Sequence, residues 1–359
     1  MLVVHISMNM HVIKLTILLT LLLIPLLGCP ETPTPFIVKI PVGHNPSEIL
    51  VSGTTLLTYV TITNDNNVVV NVSNAYPNQI IGVGNQPVGI AIWQGGARLY
   101  VVNNAGLSIS VVALSNDTFG GGNSVIDSIT STSFHNMGDA IVTVDGRYLY
   151  VATDTNAVSV ISTTTDKVVT TFTDPSFNYP AHLVADAFNR YIFVSESRSN
   201  AVSVISTTTN TVIKTIGVGI SPNGMAETTD GNWLFVVNSG SNSISVINTN
   251  SLTVARTVTD TSFNIPQRIA LTPECAYGFV SEYHSGNISV ISQNALITGS
   301  GRAVIKDIYG GVKPYDVAIK YIGPKDSGYV IAALKGENVI VVIDYRYLNE
   351  VFNACFQTI

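Results

Sequence analysis

Four stretches of this chain are near copies of one another, and a chain built that way folds into units that repeat in space. RYLYVATDTNAVSVISTTT from Arg147 and RYIFVSESRSNAVSVISTTT from Arg190 agree almost throughout, and NWLFVVNSGSNSISVINTN from Asn232 and AYGFVSEYHSGNISVIS from Ala276 follow the same plan. The aromatic anchor of the unit recurs at Tyr59, Tyr100, Tyr150, Phe193, Phe235, Phe279 and Tyr329, a spacing of about 45 residues. The two long intervals carry Gly-rich insertions, at Phe119–Asn123 and Gly299–Arg302. Units of this length cannot bury an apolar face alone and do so by stacking on their neighbours.

Each unit has the same internal order. A Pro-led run (PVGIAI from Pro87, PAHLVA from Pro180, PQRIAL from Pro266) precedes a polar turn. The aromatic-Val run follows, then a Ser/Asn loop, an alternating run such as Val158–Ile161, a Thr-rich turn and a last run such as Val212–Ile216. These are four short segments of β-branched and aromatic residues separated by turn formers, which reads as four strands per unit. No 3.6-residue periodicity of helical length appears after residue 30. The expected fold is therefore all-β, a seven-bladed β-propeller of four-stranded blades. A solenoid would need shorter coils, and a sandwich would not repeat at this period. Hydrophobic residues make up 46% of the 359, enough for a large core. Residues 36–42 look like the last strand of a unit standing before the first full one, and 351–356 like the last strand of the seventh. Both suit the outer place in the closing blade, where N- and C-terminal strands would close the ring and remove open edges. The N-terminal segment is expected to hold that place or flank it closely.

The pattern Tyr/Phe-Val-x-Asn/Asp/Ser, Val-Ser-Val-Ile-x-Thr-x-Thr, Val-x-x-x-Ile-x-Val-Gly-x-x-Pro resembles the YVTN β-propeller repeat, over about residues 36–356. The resemblance implies the propeller and a secreted or surface setting. It implies little about activity, because propellers host unrelated functions.

The N-terminus reads as an address. Lys14 precedes LTILLTLLLIPLLG over residues 15–28, with no acidic residue before it. That is the pattern of a secretory signal, and about 14 apolar residues fall short of the roughly 20 a spanning helix needs. Leu26-Leu27-Gly28-Cys29 resembles a bacterial lipobox, which implies a lipid on Cys29 and cleavage before it. Several acyl chains would hold the protein at a membrane where one would be marginal. Pro30, Pro33 and Pro35 make residues 29–35 a stiff spacer. The expected organisation is a signal over 1–28, a tether over 29–35 and one propeller over 36–359. A periplasmic or cell-surface lipoprotein follows from it.

Charge excludes one class of partner. Lys and Arg number 17 against 23 Asp and Glu, a net charge of −6, and charged residues are 11% against about 25% in a typical domain. Phosphate-backbone binding needs clustered cations, so no nucleic-acid partner is expected. Haem, CxxC, Walker and HExxH motifs are absent. No GxSxG elbow singles out a nucleophile among the many Ser and Thr.

Aligning the seven innermost strands on their Pro position gives a column two residues on: Glu48, Gly89, Asp139, His182, Gly224, Arg268, Asp316. Five ionisable residues in so thinly charged a chain predict a ring at the channel mouth. His with Asp and Glu can ligate a divalent metal, and Arg268 can orient a carboxylate. Equally, channel mouths are wet, and Arg268 and His182 can simply neutralise Glu48, Asp139 and Asp316. His44, His135 and His284 fall on loops of the same face. Phe134, Phe177 and Phe263 recur in a Ser-Phe connector and form either a partner-binding rim or plugs between blades. The leading expectation is a lipid-anchored binding or protein-interaction scaffold for a protein or small polar ligand, without catalysis or obligatory cofactor. The alternative is a propeller hydrolase or lactonase with a metal or acid–base site at the mouth.

Overall fold

A computed structural model describes residues 37–345 apart from 54, 72–78, 94–96, 116–121, 154–155 and 324–326. The expected signal over 1–28 and tether over 29–35, with Cys29, and residues 351–356 lie outside the described residues.

Seven antiparallel sheets of four strands form a ring. Numbered in chain order, the blades begin at Pro46, Pro87, Met137, Pro180, Pro222, Pro266 and Pro314. The fifth is representative, with Pro222–Glu227 innermost, then Trp233–Asn238, Ser243–Asn248 and Thr253–Thr259 at the rim. Each innermost strand touches the next around the ring, and that of the seventh blade touches that of the first.

The second and third strands read as continuous apolar runs because both of their faces are covered by other blades. In the second blade Leu99 and Val101 pack with Tyr59, Val68 and Val70 of the first. Tyr100 and Val102 point the other way and pack with Leu149 and Val151 of the third. Outer strands lose one neighbour, and Thr253–Thr259 accordingly alternates exposed with half-buried residues. The anchor aromatics lie between blades. Tyr100 and Tyr150 donate their hydroxyls to Asp166 and Asn210 in the next blade's outer turn.

Turn chemistry locks each blade to the next. The residue before the third strand is left-handed in all seven blades, with φ from 44° to 78° at Asn66, Leu107, Asn156, Asn200, Asn242, Gly286 and Asn338. Asn tolerates this region better than most residues. In five blades its side-chain oxygen also accepts a backbone N–H from the following blade, at Gln86, Tyr179, Ser221, Ile265 and, across the closure, Asn45.

A second pairing explains two connector types. In the second and fifth blades, entered by a short Val-Gly turn, the second strand ends in Asn103 or Asn238, and a Cβ on Gly84 or Gly219 would strike that amide at 2.7 or 2.5 Å. Where the connector is Ser-Phe-Asn, the strand ends in Glu196 or Glu282, whose carboxyls accept the N–H of Asn178 and Asn264, each at 2.7 Å. Burial pushes these carboxyls up to about 7 and about 8. The single described helix, Gln293–Thr298, occupies the Gly299 insertion. Sequence periodicity missed it because it is six residues long. Ser292 caps its start, Gly299 (φ 74°) caps its end, and Leu296 is buried in the sixth blade's core.

Ile37–Pro41 closes the ring. It pairs antiparallel with Val339–Asp344 as the outer strand of the seventh blade, whose other strands are Pro314–Gly323 and Ser327–Leu334. The N-terminal expectation for the closing strand therefore holds. Pro41 faces Val339 beside the second-to-third-strand loop, while Ile37 faces Ile343 at the opposite end.

Two outcomes follow from closure and burial. Ile40 is 1% exposed in the cluster joining the seventh and first blades, so Ile40→Ala should cost about 2–5 kcal/mol in denaturant unfolding. Glu196 and Glu282 have raised folded-state pKa values, so the stability they contribute is full below about pH 4.5 and is lost as pH rises through about 7 and about 8. Glu282→Gln keeps an acceptor for Asn264, and thermal melts should find it gaining on the wild type between about pH 5 and about pH 9.

Candidate functional site

The loops between second and third strands and the connectors into the innermost strands share one face, and there the central channel opens into a funnel of about 750 Å³. Its wall comes from the residue just before the ionisable column, including Val88, Gly138, Ala181, Asn223, Gln267 and Tyr315. Connector residues Asn136, Tyr179, Ser221 and Ile265 form its upper edge. All four have left-handed φ between 37° and 64°, a strained state for bulky Tyr and β-branched Ile of the kind concentrated at functional sites.

The ring column sits below this wall, and a β-bulge explains its chemistry. In all seven blades the register between innermost and second strands shifts just after the Pro-equivalent residue. The bulge turns a backbone N–H toward the preceding blade, and a ring side chain accepts it. Glu48 Oε2 takes Ile90 N–H at 2.9 Å, Asp139 Oδ2 takes Leu183 N–H at 2.7 Å, and Asp316 Oδ2 takes Ile49 N–H at 2.6 Å. His182 Nδ1 takes Met225 N–H at 3.2 Å. At Gly89 and Gly224 there is no room for a side chain, since a Cβ would stand 2.6 Å from the next blade's backbone.

Three side chains of this column come close together. One ligand atom each from Glu48, Asp139 and His182 lie within 4.8 Å of one another. Burial, then the nearby Asp139 and Asp316 charges, raise the Glu48 carboxyl far above its ordinary range, and it hydrogen-bonds Asp139. Burial lifts Asp316 to about 6 against the opposing pull of Arg268. His182 is pushed down to about 4, chiefly by burial, so its ring is neutral. With Nδ1 accepting an N–H, the hydrogen resides on Nε2, which points toward Asp139 Oδ2 at 3.7 Å. An Nε2–H has no lone pair for a metal, so metal ligation by this nitrogen would require His182 to exchange tautomers and surrender Met225.

Arg268 behaves differently from the carboxylates. It is 8% exposed, lines the funnel, and donates through Nη1 to Asn223, which in turn donates to Gln267 at 2.8 Å. Among the described residues it makes no ion pair, because the carboxylates around it are already held by backbone N–H groups. Its guanidinium lies 5.5 Å from the centre of the Tyr315 ring, and Lys335 Nζ lies 3.1 Å from the same centre. Burial, with Arg268 nearby, lowers Lys335 to about 8.

Other expected site residues lie elsewhere. Phe134, Phe177 and Phe263 are 1%, 3% and 3% exposed and join the cores between blades. They form no partner-binding rim, because the Ser-Phe connector turns each ring inward to fill the gap beneath the longer loop. His135 and His284 are exposed, and His44 pairs at the surface with Asp65 at 2.9 Å. Column alignment missed Asn223, Gln267, Tyr315 and Lys335. The first three occupy the column one residue earlier, whose mixed Ser, Val, Gly and Ala members hid it.

No family model matches the chain, and no curated relative matches it. Solved structures do. Hydrazine synthase from Kuenenia stuttgartiensis is similar over 84% of this chain and 96% of that one, at 18% identity and a TM-score of 0.71. Virginiamycin B lyase from Staphylococcus aureus is similar over 86% and 99%, at 15% identity and 0.69. A streptogramin B lyase is similar over 88% and 99%, at 14% identity and 0.69. This chain shares their fold. At such identities the likeness carries the propeller and leaves function to the side chains.

The ring's hydrogen bonds predict an order of stabilities. Asp139→Ala strips Leu183 N–H of its acceptor in a buried place and should cost about 1–3 kcal/mol in denaturant unfolding. Asp139→Asn retains an amide oxygen there and should lose distinctly less. Equal losses would mean that the clasp contributes nothing.

Proposed function

We propose that this protein is a non-catalytic binding propeller that takes a small polar ligand into the channel-mouth funnel while held at a cell-envelope surface. The observation that carries the reading is the division of labour at the mouth. Ring carboxylates and His182 are engaged by the backbone of the next blade, whereas the funnel above them offers Asn, Gln, Ser and Tyr groups and one buried cation. A funnel of about 750 Å³ lies within the range of small-molecule sites, which run from roughly 300 to 1,000 Å³.

The envelope setting rests on the sequence: the signal-like run, the lipobox-like Leu26–Cys29 and the proline tether. The YVTN-like repeat agrees with a surface role. Chain entry at Ile37, on the face away from the funnel, suits a receptor whose ligand arrives from solution. Membrane association through a lipid on Cys29 belongs to the same proposal, and nucleic acid does not, given the net charge of −6.

One observation favours a second reading. The proximity of Glu48, Asp139 and His182 would serve a metal-dependent or acid–base hydrolase or lactonase, and the fold neighbours include enzymes. Against it stand the His182 tautomer and the hydrogen bonds that engage all three side chains.

Gly138 provides the test. A Cβ there would come no closer than 4.0 Å to its nearest neighbour, the Pro180 carbonyl oxygen, so Gly138→Trp can fill the funnel without disturbing the strand. Thermal shifts with sugars, amino acids and small carboxylates should appear in the full-length protein, by about 2.7 kcal/mol at a hundredfold excess over Kd. They should vanish in Gly138→Trp. Shifts produced instead by divalent cations and abolished by His182→Ala would favour the hydrolase reading.

A further inference from the structure

We propose that the funnel's ligand is a small acidic saccharide, its carboxylate held by Arg268, with Lys335 adding positive charge from its place on the same Tyr315 ring, and its hydroxylated body against the amide and hydroxyl wall. The proposal rests on the binding reading above and adds the chemical class and the residues.

Three observations carry it. The first is an unpaired cation pair in an acidic protein. Arg268 and Lys335 both lie against the Tyr315 ring, and among the described residues neither has a carboxylate within ion-pairing distance. Burying a guanidinium without an ionic partner is costly. Glu48, Asp139 and Asp316 stand close enough to temper the charge, but Asp139 and Asp316 give both of their carboxyl groups to backbone N–H donors and Glu48 gives one oxygen to Ile90. The guanidinium is left with Asn223 and the funnel.

The second is the planar fork of Arg, which matches the two oxygens of a carboxylate, while Lys335 supplies a point charge beside it. The third is the wall. Asn104, Asn223, Gln267, Ser197, Ser239 and Asn242 present neutral donors and acceptors, and Tyr179 at the edge is 38% exposed. Rings of hydroxyls with apolar C–H faces are complementary to such a surface. Asn223, Gln267, Ser239, Ser197 and Asn242 each make one or more bonds within the protein, and a purely apolar ligand would bury their remaining donors and acceptors without partners, which is unfavourable in a desolvated pocket.

The test is isothermal titration of the full-length protein in detergent with D-glucuronate, with D-glucose as its neutral counterpart and with acetate as the carboxylate without a sugar. Glucuronate should bind about tenfold or more tighter than either, as expected for a charge-assisted hydrogen bond in a closed site. Arg268→Gln and Lys335→Met should each remove that advantage, and Arg268→Lys should restore part of it. If Arg268→Gln fails to fold, Lys335→Met, on the loop between the second and third strands of the seventh blade, carries the test alone. Equal binding of glucose and glucuronate, abolished by Gly138→Trp, would overturn the carboxylate assignment and leave the binding reading standing. Binding of an acidic peptide but no saccharide would overturn the assignment as well. No binding by any probe, with Gly138→Trp indistinguishable from wild type, would overturn both.

Discussion

Packing of seven sheets face to face around a closed circle is the constraint on which the rest of this structure depends. Each blade has two apolar faces, and neither can be covered from within the blade. Leu99 and Val101 therefore need the first blade as much as Tyr100 and Val102 need the third. Such an array has no natural end, and an open one would expose an apolar face and a strand edge at each terminus. Ile37–Pro41 solves this by joining the seventh blade from the other end of the chain, so the circle is closed by hydrogen bonds and by the Ile40 cluster together.

Polar residues in the interior follow from the same circle. Near the axis the innermost strands converge until backbone meets backbone, and a bulge in each leaves an N–H that must find an acceptor. Glu48, Asp139, His182 and Asp316 supply acceptors across four junctions, and the glycines at the ring position in the second and fifth blades allow direct contact instead. What resembles a catalytic constellation in composition is in large part the mortar of the ring. Its electrostatic by-product is Arg268, a cation near carboxylates that are otherwise engaged, open to the funnel and sharing the Tyr315 ring with Lys335.

Proteins with different names and chemistry, hydrazine synthase and streptogramin B lyase among them, share this fold, so the fold by itself does not set function. The blade supplies a rigid wall, and the identity of the few side chains at the mouth sets what happens there. In this chain those side chains are mostly neutral amides and hydroxyls, drawn from connectors, innermost strands and the loops between second and third strands.

Much of this was legible in the linear chain. The period of about 45 residues, four strands per unit and the seven anchors specified the propeller, because stacking is the only way such units bury their faces. The extra strand before the first unit announced the closure. The ionisable column was also visible, since identical repeats place identical positions at one radius. Side-chain direction and partnership were not. The Ser-Phe motif says that Phe134, Phe177 and Phe263 share an environment, but only the inward turn of the connector makes it a core. The column says that Glu48, Asp139 and His182 meet, but the bulge decides that their acceptor atoms face a neighbouring backbone. Repetition alone therefore determined the architecture, being a property of order along the chain. Which polar groups remained free for a ligand was decided by contacts between blades, which depend on atoms about 40 residues apart and on the exact angle at which two sheets meet.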